Sequence, residues 1–91
     1  MAEISVTIEN VTREAKLTWD GESVPLSQSK NKYTAKFNAP KGNNTYAILV
    51  WGPPGDEWKA TVTDGTTTQK HRGHMSTAGY GSSGTTPFQV K

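Results

Sequence analysis

A chain of 91 residues with 32% hydrophobic residues and a formal charge of +2 has room for one domain and one modest core. That charge is too small to demand a nucleic-acid or membrane partner. Without cysteine there is neither a disulfide framework nor a thiolate metal site, and no apolar run approaches the roughly 18 residues needed to cross a bilayer.

Ile4, Val6 and Ile8 alternate with Ser5, Thr7 and Glu9, which predicts a strand over 3–9 with one buried face. Ala15, Leu17 and Trp19 alternate with Lys16, Thr18 and Asp20, and Asp20 and Gly21 supply the positive-φ pair of a tight hairpin. Residues 22–27 return with Val24 and Leu26. Pro25, which cannot donate to a ladder, puts this strand at an edge or a bulge. Tyr33, Ala35 and Phe37 alternate with Lys32, Thr34 and Lys36 to predict the next strand, and residues 40–44 form a loop.

Tyr46 to Trp51 are six consecutive apolar residues, the pattern of a central strand covered on both faces. Gly52, Pro53, Pro54 and Gly55 turn the chain, and Trp58, Ala60 and Val62 alternate with Lys59, Thr61 and Thr63 in the return strand of the expected hairpin. Residues 66–72 hold β-branched side chains but no inward apolar set, which predicts an edge strand at most. Residues 73–84 are glycine-rich and read as irregular, and Phe88 and Val90 mark a closing strand.

No helical periodicity persists. About seven short strands with turn signals between them predict an all-β, antiparallel β-sandwich over residues 1–91, in the manner of immunoglobulin-like or fibronectin-like domains, with a small barrel as the alternative. The predicted core is Ile4, Val6, Ile8, Leu17, Trp19, Val24, Leu26, Phe37, Ile48, Val50, Ala60, Val62, Phe88 and Val90.

No catalytic assembly emerges, so the expected protein is not an enzyme and needs no cofactor. Gly79, Gly81 and Gly84 match the spacing of a dinucleotide fingerprint, but no helix follows to receive a pyrophosphate. Asp56 and Glu57 are adjacent and would face opposite ways on a strand, unsuited to flanking one bond. His71, Arg72 and His74 read as a solvated basic edge; joint metal binding would need a turn at Gly73 and further ligands. Lys32 and Lys36 share a strand face, flanked by Lys30 and Lys41. Such a stripe can hold phosphates or acidic sugars, but it also discourages edge-to-edge aggregation, the reading preferred here. The stripe comes without an RNA-binding aromatic signature, so no nucleic-acid partner is expected.

The aromatic residues are the strongest lead. Three Trp and three Tyr exceed what so small a core needs. Trp51 and Trp58 flank the Pro-Pro turn and are expected to face each other across its neck. Beside them Asp56, Glu57, Asn43 and Asn44 could take sugar hydroxyls while a pyranose stacks on an indole. Tyr80, on its glycine-rich loop, has the character of a binding-loop aromatic. These residues, with His71, Arg72 and His74 at the margin, predict a carbohydrate-binding, lectin-like module. The alternative is a protein-interaction domain (adhesion, inhibitor or secretion apparatus) that uses the Pro-Pro-Gly turn and the 73–84 loop. The expected partner is a glycan or a protein surface, with no membrane insertion and with homodimerisation as a route to avidity. Met1 to Ile4 lack the basic and apolar regions of a signal peptide, so the expected compartment is the cytoplasm, or the exterior with a signal already removed.

Overall fold

The computed structural model describes residues 2–91. It contains ten strands and, among the described residues, no helix. They are β1 Ala2–Glu9, β2 Glu14–Trp19, β3 Glu22–Val24, β4 Ser27–Ser29, β5 Lys32–Ala39, β6 Gly42–Trp51, β7 Glu57–Thr63, β8 Thr68–His74, β9 Tyr80–Ser82 and β10 Thr86–Val90. One sheet has the order β4-β5-β1-β7-β8; the other runs β10-β6-β2-β3, with β9 also paired to β6. Every pairing is antiparallel. The fold is an antiparallel β-sandwich.

Alternation in the sequence becomes burial in the structure. Ile4, Val6 and Ile8 of β1 are sealed between neighbours on both sides, and Val62 and Ala60 of β7 lie opposite Val6 and Ile8. From the facing sheet come Leu17, Trp19, Ile48, Val50, Phe88 and Val90. Val24, Leu26 and Phe37 are only partly buried and close the margin of the core. Val11, Tyr33, Tyr46, Trp58 and Met75 join it although the predicted core omitted them.

Asp20 and Gly21 form the expected tight hairpin, with φ of 49° and 84°. The turn after Trp51 does something else. It carries the chain from β6 in one sheet to β7 in the other, so these strands are not partners. Alternation cannot show this, because it reports which residues face the core and not which strand lies alongside.

Strand β6 is central in its sheet but has one wet face. Tyr46, Ile48 and Val50 point into the core, while Leu49 is 36% exposed and Ala47 and Trp51 are half-buried. The apolar run therefore does not mean cover on both sides. Within the glycine-rich segment, residues 80–82 form β9 instead of irregular chain, pairing with the last three residues of β6.

Candidate functional site

Six of the eight aromatic rings are absorbed by the interior. Trp19 stacks on Tyr46 at 5.3 Å with an interplanar angle of 6°, and meets Phe37 and Phe88 edge-on or tilted at 5.0 and 5.7 Å. Its indole N–H donates to Asn44 Oδ1 at 3.1 Å, and Asn44 Nδ2 donates to the carbonyls of Pro40 and Gly42. Asn44 is thus a buried amide whose hydrogen bonds are made within the fold.

Trp58 is likewise lost to the surface, at 2% exposure. Its indole fills the side of the sandwich where β8 and β9 come together. A Cβ on Gly73 would lie 3.0 Å from Trp58 Nε1, and one on Gly81 only 2.5 Å away. Two glycines therefore make the space for one large ring. Trp51 and Trp58 stand on different sheets, one outward and one inward, so the expected facing pair does not exist.

The two rings left over are Trp51, half-buried, and Tyr80, 48% exposed. The fold brings them together. They are direct cross-strand partners of β6 and β9, so their side chains leave the same face of the sheet, with Cβ atoms about 5 Å apart. What places Tyr80 there is a closed turn: Ser76 N–H donates to Tyr80 O, Gly79 N–H to Ser76 O, and Gly52 N–H to Gly79 O. Gly79 has φ of +82°, and any Cβ there would meet the Gly52 carbonyl at 3.0 Å. Only glycine lets the loop approach so closely.

Around these rings the ladder arranges a polar frame. Glu14 lies opposite Trp51 on its other side, and Lys16 and Ser82 flank Leu49. Lys16 Nζ sits 5.8 Å from the centre of the Trp51 ring, a cation–π contact worth about 0.5–1 kcal/mol at an exposed site. Arg13, whose N–H donates to the Trp51 carbonyl, reaches with Nη1 to within 3.8 Å of the position a Gly79 Cβ would take. The result is an open platform of two aromatic rings and a leucine, ringed by Arg13, Glu14, Lys16 and Ser82.

The other predicted residues lie elsewhere. Asp56 belongs to the connection between the sheets, and Glu57, the first residue of β7, pairs with Arg72 at 3.6 Å. Asn43 is exposed on the platform's face but eight residues along β6, about 26 Å from Trp51. His71 points inward, where its Nε2 lies 2.6 Å from Tyr46 Oη; Arg72 and His74 project from the outer face of the opposite sheet. Among the described residues no three His, Asp or Glu side chains converge as a metal site.

Leu49, Lys16, Glu14, Arg13 and Ser82 were not foreseen in this role. For Leu49 the signal was present: it sits between Ala47 and Trp51 at the strand period and must share their face. For the rest it was absent, because it depends on which strands flank β6. Comparison with protein-family models, with curated proteins and with solved structures finds no match.

Proposed function

We propose that this protein is a carbohydrate-binding module whose site is the platform around Trp51 and Tyr80. The observation that carries the reading is the register of β6 and β9, which sets the two unabsorbed rings side by side on one open face. A pyranose offers an apolar face to such rings and hydroxyls at its rim. Glu14 can accept there, Ser82 can accept or donate, and Lys16 and Arg13 can donate. The platform is open and shallow, which suits a single-site affinity on the order of 1 mM, about −4 kcal/mol. Self-association would raise that through avidity.

Trp51 is the one tryptophan outside the core, so its fluorescence reports the site directly. Titration with oligosaccharides selected on a glycan array should shift the emission. Trp51→Ala should abolish binding of the protein to the arrayed oligosaccharides, and Tyr80→Ala should weaken binding by roughly tenfold, the worth of one stacking contact. A blank array, or binding unchanged in both variants, removes the proposal.

Leu49 favours a second reading, since an exposed aliphatic between two rings also fits a protein partner. Leu49→Ser separates the two: it should leave sugar stacking nearly intact and weaken a protein contact strongly.

A further inference from the structure

The outer face of the other sheet has the opposite character. From the strand registers, the outward side chains of β1, β5, β7 and β8 include Ser5, Thr7, Thr34, Thr61, Thr63 and Thr68, and the remainder are charged, imidazole or amide groups. No apolar side chain projects from these four strands on that side.

Four of the charges on this face stand along one line. Lys32, Glu9, Lys59 and Arg72 are successive cross-strand partners from β5 through β1 and β7 to β8. Two surface depressions meet on this line at Glu9 and Lys59. One continues to Lys30 and Lys32, the other to Lys70 and Arg72. Together they form a trough running across the strands. Its five cations stand against two acids, Glu9 and Glu57, a net +3 where the whole chain carries +2.

Lys59 and Arg72 lie directly opposite each other as a like-charge pair, with Glu9 opposite Lys59 on its other side. Arg72 has Glu57 at 3.6 Å, while Lys70 faces Thr61 across the ladder. An anion bridging Lys59, Lys70 and Arg72 would relieve the repulsion.

We infer that this trough binds a linear acidic polysaccharide, laid across the sheet. Lys32 and Arg72 are three strand spacings apart, about 14 Å, so one small anion cannot serve both and a chain with repeating carboxylates or sulfates can. The threonine and serine hydroxyls beside the trough match sugar hydroxyls. Nucleic acid fits poorly because no Trp, Tyr or Phe side chain projects here to stack on a base.

Affinity electrophoresis of the whole protein tests this, with dextran sulfate and polygalacturonate in the gel and neutral dextran as reference. Retardation by both acidic polymers is expected, strong at low salt and fading as ionic strength rises. Replacing Lys59, Lys70 and Arg72 together by Gln should weaken retardation at least tenfold, while Trp51→Ala and Lys41→Gln leave it unchanged. Lys59→Gln alone should weaken retardation by a smaller factor than the triple substitution. Retardation that survives the triple substitution overturns the proposal. So does equal retention by neutral dextran, by single-stranded DNA or by anionic lipid vesicles. The sugar platform on the opposite face is untouched by these variants, so the two proposals stand or fall separately.

Discussion

Asn44 shows how much can hang on one side chain. Its amide satisfies the Trp19 N–H and two backbone carbonyls, and it is the buried polar residue of the core. Asn44→Ala strands all three groups away from most water, and each orphaned group costs about 1–3 kcal/mol, part of it recovered where water enters. We expect a loss of roughly 2–4 kcal/mol, a fall of at least about 10 °C in melting temperature for a domain of this size. Asn43→Ala, one residue away and exposed, should change stability by under about 0.5 kcal/mol. Thermal melts of the two variants check the contrast; similar losses in both would show that the buried amide is unimportant. The sequence showed an Asn-rich loop suited to sugar hydroxyls. It did not show that the second of two adjacent asparagines turns inward on a strand, because that depends on where β6 begins.

Among the elements, the strands with strict alternation were legible and the ones defined by their neighbours were not. Strands β1, β2, β5 and β7 announce themselves because every second residue must enter the core. Strand β9 has no such residue: Tyr80 and Ser82 are exposed, and Gly81 contributes only the absence of a side chain. It exists because β6 has free backbone groups there and because Gly81 leaves room for the Trp58 ring. The candidate site rests on this least legible element, so the Trp51–Tyr80 pairing could not be read beforehand. Gly81→Ala tests the dependence. Its Cβ would lie 2.5 Å from Trp58 Nε1, so the indole or the strand must shift. Overpacking of this kind costs about 1–3 kcal/mol. Chemical denaturation should show that loss, and the Trp51 fluorescence response to sugar should weaken as β9 moves. Trp58→Leu, which cuts the ring away, should cost less in the Gly81→Ala background than alone. Strict additivity would mean the two positions do not press on each other.

At the scale of the whole molecule, the two sheets are tied by packing and also by one polar chain that crosses the interface. Gln69 of β8 donates through Nε2 to Pro87 O of β10, which turns its Oε1 toward Tyr46 of β6. The phenol O–H donates to that oxygen at 2.6 Å, leaving the phenol oxygen to accept from Nε2–H of His71. Burial acts on both titratable members, holding His71 below the usual imidazole value of 6.5 and pushing Tyr46 up to about 12. The signs follow from which state binds more protons. Below about 6.5 the unfolded chain protonates its histidine more readily than the folded one, so this contribution is complete above that pH and is lost as pH falls toward the depressed folded value. Above about 10 the unfolded tyrosine ionises while the folded one keeps its proton, so stability drops again between pH 10 and about 12. Asp64, held below the usual carboxylate range by the N–H groups of Thr67 and Thr66, adds a loss only under more acidic conditions, below about 4. Denaturation midpoints should therefore form a plateau between about pH 6.5 and 10 with a separate slope on either side. In His71→Gln, whose amide can still donate to the phenol oxygen, the slope between pH 7 and 5 should flatten while the alkaline slope stays. Tyr46→Phe should remove the alkaline slope. An acid slope between pH 7 and 5 that persists undiminished in His71→Gln would show that the polar link between the sheets does not set the lower limit of the stable range.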